Sequence, residues 1–209
     1  MAKFLVTAGP TIEKIDAVRF ISNRSSGKMG YAVAAAALAI GGEVTLISGP
    51  TRLTPPAGVN FIAVESAVEM AAAVHQYAAE SDYVIMTAAV ADYRPVHTHS
   101  GKIKKTSGNI TIELERTEDI LKTLGEHKRP GQKLVGFAAE TDDIIEYAKG
   151  KLNSKNLDWI IANDVSREDR GFNVDCNAVT MIASTGEIID CPLDTKANIA
   201  SKIITAIMR

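Results

Sequence analysis

Short β-rich runs alternate with longer alanine-rich runs along these 209 residues, and this alternation constrains the fold more than any other feature. A chain that passes through a helix between successive strands builds a parallel sheet, because parallel neighbours need a crossover and crossover helices cover the sheet faces. Strands are expected at residues 4–8, 43–48, 60–64, 83–88, 133–138 and 159–162. Helices are expected at 28–40, 66–79, 117–126 and 142–153, where apolar residues recur at spacings of three and four, and Gly41-Gly42 stops the first of them. Beyond Asn163 the pattern changes. Residues 179–183 and 187–191 flank Ser184-Thr185-Gly186, which reads as a hairpin (about 178–192), and a last helix over 194–208 closes the domain. The fold class expected is α/β, a mostly parallel sheet with helices on both faces. Residues 92–107 interrupt the alternation with two histidines, three lysines, a glycine and a proline, and read as a mobile flap. No repeat or linker divides the chain, so residues 1–209 are expected to form one domain.

With 46% hydrophobic residues the chain can bury a core without disulfides. Its formal net charge of −2 gives no basic field for nucleic acid or an anionic membrane, so anions must be held by a local cluster. Cys176 and Cys191 lack metal-site spacing and read as thiols of a reducing compartment. Residues 1–6 lack the regions of a signal peptide, and the longest apolar stretch, 32–40, falls far short of the roughly 20 residues that span a bilayer. A cytoplasmic protein is expected.

In open α/β sheets ligands bind beyond the carboxyl ends of the strands, which gives four junctions weight. At Thr7-Ala8-Gly9-Pro10-Thr11 a strand breaks into a turn, and Gly9 would let a ligand or backbone approach closely. The irregular stretch after it ends in Asn23-Arg24-Ser25-Ser26-Gly27-Lys28-Met29-Gly30. Ser25, Ser26 and Gly27 at a helix start are either a phosphate cradle or an ordinary cap. Neither a Walker A loop nor a G-x-G-x-x-G fingerprint is present. The second junction, Thr87-Ala88-Ala89-Val90-Ala91-Asp92-Tyr93, leaves room above the sheet. Its Asp92 could accept sugar or base hydrogen bonds, hold Mg²⁺ through water, or simply cap a turn. Third, Lys102-Ile103-Lys104-Lys105 on the flap is a loop able to close over phosphates, or a solvated basic loop. Fourth, Gly136-Phe137-Ala138-Ala139-Glu140-Thr141 offers Phe137 for stacking on a base and Glu140 to cap the next helix, which carries Lys151 and Lys155 as an i,i+4 pair. His75 and His127 look helical and exposed, and His97-x-His99 gives at most two metal ligands. No G-x-S-x-G elbow supports hydrolase chemistry.

Taken together, Thr7-Ala8-Gly9-Pro10-Thr11, Asp16-x-Val18-Arg19-Phe20-Ile21-Ser22-Asn23 and Ser25-Ser26-Gly27-Lys28-Met29-Gly30 closely resemble the opening of bacterial phosphopantothenoylcysteine synthetases, the phosphopantothenate-cysteine ligases. The similarity continues through Ala88-Ala89-Val90-Ala91-Asp92-Tyr93, Lys102-Ile103-Lys104-Lys105, the Gly136 junction and Ala162-Asn163-Asp164-Val165. The resemblance implies a Rossmann-like fold, a homodimer, CTP with Mg²⁺, and ligation of 4′-phosphopantothenate to L-cysteine through an acyl-cytidylate in coenzyme A biosynthesis. It implies Asn23 and Lys102 as catalytic residues, with Arg19, Asn23 and Ala89 near the phosphopantothenoyl group. Met86, Thr87, Ala88, Asp92, Lys102, Phe137, Lys151 and Lys155 correspond to nucleotide contacts, as does Glu118-Asp119-Ile120-Leu121. A proline is usual where Glu118 stands, and a carboxylate beside a triphosphate would repel, so Glu118 is expected to point away or to offer its backbone alone.

Many members carry an N-terminal flavin-dependent decarboxylase domain. This chain begins at the synthetase signature, so it reads as either a standalone form or an excised domain of an enzyme with a fused or partner flavin decarboxylase, and no flavin is expected in these residues. The residues do not name the Mg²⁺ ligands or separate CTP from ATP. An NAD(P)-dependent short-chain reductase and a non-enzymatic nucleotide-binding module stand as rival readings. Against the reductase, Tyr147 is followed by Gly150 and Lys151, one residue out of step for a Tyr-x-x-x-Lys pair.

Overall fold

The structure, a computed structural model, describes residues 1–105, 107–140, 144–164 and 174–209, with the main chain alone at 139, 140, 144 and 164. After β1 (Lys3–Ala8) a two-stranded ribbon, β2 (Glu13–Lys14) and β3 (Phe20–Ile21), precedes α1 (Lys28–Ala39). Then come β4 (Glu43–Ser48), β5 (Asn60–Ala63), α2 (Ala67–Ala78) and β6 (Tyr83–Met86). A second ribbon, β7 (Tyr93–Pro95) and β8 (Leu114–Arg116), leads to α3 (Ile120–Glu126), β9 (Lys133–Glu140), α4 (Ile144–Ser154) and β10 (Trp159–Asp164). The chain closes with β11 (Cys176–Ala183), β12 (Ile188–Thr195) and α5 (Lys196–Ile207).

Eight strands form one sheet in the order β5, β4, β1, β6, β9, β10, β11, β12. Every pairing from β5 to β10 is parallel, and the two involving β11 are antiparallel. The Rossmann-like architecture and the C-terminal hairpin are therefore as expected, with both hairpin strands longer than their apolar cores suggested. The chain enters at β1, moves outward to β5, then crosses back to β6 on the other side of β1. That reversal is the topological switch point where such sheets bind ligands.

Alternation along β1 shows how both faces are filled. Phe4, Val6 and Ala8 join the core built with α1 and α5, whereas Leu5 joins the core built with α2, α3 and α4. Side-chain caps start three helices slightly later than periodicity suggests. Ser66 accepts from the Glu69 amide, Asp119 from Lys122 and Thr195 from Asn198, which satisfies a first-turn N–H in each case. The start of the helix expected at 142 lies outside the described residues, as do Thr141 and Val165.

Two departures shape the site. β6 ends two residues early, because the Thr87 hydroxyl donates to the Thr7 carbonyl and the Ala88 amide to Thr7 Oγ1 at 3.1 Å, turning the chain out of the ladder. The flap is not loop throughout: Tyr93, Arg94 and Pro95 pair with Arg116, Glu115 and Leu114, so the arm is rooted in a ribbon and returns at 114 rather than 107. Two- and three-residue exposed strands carry too little alternation to be legible in sequence. Among the described residues no helix is long and apolar enough to cross a membrane.

Candidate active site

Two cavities open beyond the carboxyl ends of β1, β6 and β9. One, of about 330 Å³, is lined by residues 25–30 at the start of α1, by the loop after β6, and by Asn163, Asn177 and Lys196. The other, of about 490 Å³, lies between Met86, the end of β8, residues 117–121 and Lys155. Ala88, Val90, Asp92 and Phe137 line both, so the two form one groove along the switch point.

The first cavity brings a helix start and two lysines together. Gly27 caps α1 at φ 78°, in the left-handed region that favours glycine, and supplies no side chain to accept from the first-turn amides. Gly30 brings that turn hard against the strands: a Cβ there would lie 2.4 Å from Thr87 Oγ1 and 2.8 Å from the Thr7 carbonyl. The positive end of α1 thus sits at the strand ends beside Lys28 and Lys196. Lys28 pairs with Asp175 at 2.6 Å, and this bond holds the Asp175 carboxyl below its usual range. Lys196 is buried and bonds the Val174 carbonyl; burial first, and then Lys28, lower its pKa. A bound phosphate would relieve the repulsion between these two ammonium groups. Among the described residues the buried Oδ1 of Asn163, which also lines this cavity, has no hydrogen-bond partner, which leaves an acceptor for a ligand donor.

The second cavity mixes charges. Asp119 caps α3 and also pairs with Lys155 at 2.9 Å. Glu118 is drawn aside by His75 Nε2 at 2.7 Å, an arrangement that keeps this carboxylate engaged with α2. Arg116 and Asp92 complete the polar wall, and Met86, Leu121 and Phe137 the apolar one. Among the described residues no three His, Cys, Asp or Glu side chains come together as a metal cage.

Other candidates lie outside both linings. Asn23 is linked to the groove through Ala89, whose carbonyl takes an N–H from Asn23 Nδ2 at 2.6 Å, while Asn23 Oδ1 accepts from the Ser25 amide. A carboxamide has two N–H donors, and Ala89 uses one. Gly9 packs behind Gly27 instead of facing the cavity, its carbonyl holding the Ala89 amide at 2.9 Å. Lys102 is exposed on the flap, Lys151 is exposed on α4 away from the groove, and Arg19 gives its Nε and Nη2 to Asp16 and the Ile103 carbonyl. Lys155 falls just beyond α4, so the expected i,i+4 pair is split between a helix face and the cavity wall. Sequence reasoning missed Lys196, Asn177 and Arg116. The first two arrive only through the hairpin and α5, and Arg116 through the unforeseen ribbon; none has a local signal.

The family model described as the DNA/pantothenate metabolism flavoprotein C-terminal domain matches residues 1–209. The chain belongs to this family. The coenzyme A biosynthesis bifunctional protein CoaBC of Bacillus subtilis is 50% identical over 204 residues, which cover 97% of this chain and 50% of that protein. A cysteine/cysteine sulfinic acid decarboxylase from an unknown prokaryotic organism is 47% identical over 207 residues, 99% of this chain and 58% of its own. The chain spans about half the length of these curated relatives. The crystal structure of the C-terminal domain of a CoaBC superposes with a TM-score of 0.85 at 51% identity, covering 99% of this chain and 93% of that one. A family member thus has the same fold over nearly the whole chain.

Proposed function

We propose that the chain is the ligase half of a coenzyme A biosynthesis enzyme, joining 4′-phosphopantothenate to L-cysteine at the expense of CTP. The observation that carries the reading is the continuous groove at the switch point, basic at the α1 end and lined by Phe137 and Met86 beside Arg116, Asp119 and Lys155 at the other. Similarity to CoaBC over 97% of the chain supplies the pathway.

The triphosphate lies at the first turn of α1 with Lys28 and Lys196, and the nucleoside occupies the second cavity beside Phe137. The pantothenate carboxylate enters from the Ala89 side and its oxygen attacks the α-phosphorus; an O–P bond forms, the bridge to the β-phosphate breaks, and pyrophosphate leaves. The cysteine amine then attacks the acyl carbon, losing a proton as the C–N bond forms and CMP departs. Asn23 stands where Ala89 marks the acyl group, and its second N–H donor suits the carbonyl oxygen as it gains charge. Lys102 enters when the flap closes and offsets phosphate charge. Mg²⁺ fits a site with only Asp92 on the shared wall, since it binds by one or two carboxylates plus substrate phosphates, where it would neutralise charge on the leaving pyrophosphate.

We also expect a cytoplasmic homodimer. Val18, Phe20, Tyr93 and Leu114 leave apolar surface exposed on the two ribbons, as a subunit face would. The reductase reading is disfavoured because 19 residues, including a ribbon, separate β1 from α1 where a dinucleotide fold has a tight glycine turn. Release of pyrophosphate from CTP, dependent on 4′-phosphopantothenate, tests the proposal. No release with CTP or ATP would leave a binding module.

A further inference from the structure

Asp16, a residue of the N-terminal signature with no part in the chemistry above, is a heavily bonded carboxylate that is 1% exposed in the turn between β2 and β3. It divides its oxygens between two tasks. Oδ1 accepts the amides of Val18 and Arg19 at 2.8 Å each and so shapes its own turn. Oδ2 accepts Arg19 Nε at 2.9 Å, Arg19 Nη2 at 2.5 Å and the amide of Ile103 on the flap at 3.1 Å. Arg19 Nη2 also donates to the Ile103 carbonyl at 3.0 Å, so both backbone polar groups of that one flap residue are held. Closer to the ribbon, the His99 amide bonds the Ile15 carbonyl and Thr98 Oγ1 the Lys14 carbonyl. The Arg19 bonds, chiefly, hold the Asp16 carboxyl well below the usual carboxylate range, so it stays charged wherever the enzyme works.

We propose that Asp16 is a positioning residue: through Oδ2 and Arg19 it pins the flap at Ile103 and thereby fixes where the adjacent Lys102 stands when the arm moves. A hydrogen-bonded, buried charge that clasps the middle of an otherwise exposed arm, beyond its root in the β7–β8 ribbon, gives the residues beside Ile103 a fixed pivot, so Lys102 sweeps a short arc instead of sampling solvent. The effect on catalysis rests on the ligase reading; the tether itself does not.

Asp16→Asn separates the two tasks, because the remaining carbonyl can keep the Oδ1 turn while the amide nitrogen can no longer accept from Ile103 or Arg19. In the native chain the Ile103 amide should exchange with solvent deuterium at least about tenfold more slowly than those of Lys102 and Lys104. Equal rates would overturn the tether without any variant. In Asp16→Asn that protection should vanish and tryptic cleavage after Lys102, Lys104 and Lys105 should speed up by about tenfold, with exchange at Leu5 and Val6 unchanged. Unaltered cleavage would count against the pivot. For pyrophosphate release, Asp16→Asn and Lys102→Gln should each raise the nucleotide KM, and the double variant should be no worse than Lys102→Gln. Multiplying losses would show that Asp16 does not act through Lys102. If Lys102→Gln alone changes nothing, the role of the flap lysine fails, while exchange and cleavage still decide the tether.

Discussion

Replacing Gly30 by alanine sets two effects of known sign against each other. Within a helix, alanine is favoured over glycine by about 0.5–1 kcal/mol. At this position, however, the new Cβ would sit 2.4 Å from Thr87 Oγ1, 2.6 Å from Ala8 Cβ and 2.8 Å from the Thr7 carbonyl. These fall short of ordinary contact by roughly 0.6–1 Å, and overpacking of that kind costs about 1–3 kcal/mol. Two of the three neighbours belong to β1, which is buried and laddered on both sides, so α1 must yield. The net expectation is a loss of about 0.5–2 kcal/mol, a fall in Tm of roughly 1–8 °C for a chain of this size. The first turn of α1 would also move by close to 1 Å, and a misplacement of about that order can cost about 10²-fold in rate. Gly150→Ala on α4 is the control: among the described residues nothing lies within 4 Å of where its Cβ would stand, so helix propensity alone should raise Tm by about 1–4 °C. Calorimetric melts and pyrophosphate release from CTP read both effects. Gly30→Ala that melts higher than the native protein and keeps full activity would refute the close approach of α1 to the strand ends, and with it the anion site.

Other substitutions test individual roles. Asn23→Asp sets an oxygen against the Ala89 carbonyl and removes the donor, so acyl-nucleotide should accumulate as the second half-reaction slows by about 10²–10³-fold; equal loss of both half-reactions would sink that role. Lys102→Gln should slow the nucleotide-consuming step, and unchanged pyrophosphate release would contradict it. Asp194, bonded by Lys202, Asn198 and the Thr195 amide, has its pKa lowered to about 2. A depressed carboxylate pKa stabilises the fold above the unfolded value near 3.9 and that contribution is lost as pH falls through the folded one, so the acid limb of stability between about pH 4 and 2 should flatten in Asp194→Asn. An acid limb identical to the native one would show that the bond network at the start of α5 is not formed.

The central parallel strands were legible because they are apolar on both faces: Phe4-Leu5-Val6 and Trp159-Ile160-Ile161 read as buried runs whatever packs on them. The groove was partly legible, since loops following such strands must meet at the switch point, and Thr87, Ala88, Asp92 and Phe137 all line it. What stayed hidden depends on distant pairing. Lys196 reads as a surface lysine at a helix start until the hairpin buries it beside Lys28, and Arg116 reads as a helix approach until it pairs with Tyr93. Arg19 shows the converse: a resemblance that suggests substrate contact does not reveal that, within one chain, Asp16 and the flap already hold its guanidinium.

The most direct test of the ligase account is rapid quenching of the enzyme mixed with 4′-phosphopantothenate, CTP and Mg²⁺, first without and then with L-cysteine. The account predicts one equivalent of acyl-cytidylate and pyrophosphate per site without cysteine, followed on its addition by conversion of that intermediate to the cysteine amide and CMP. Steady release of pyrophosphate with no bound intermediate, or an intermediate that cysteine does not discharge, would contradict it.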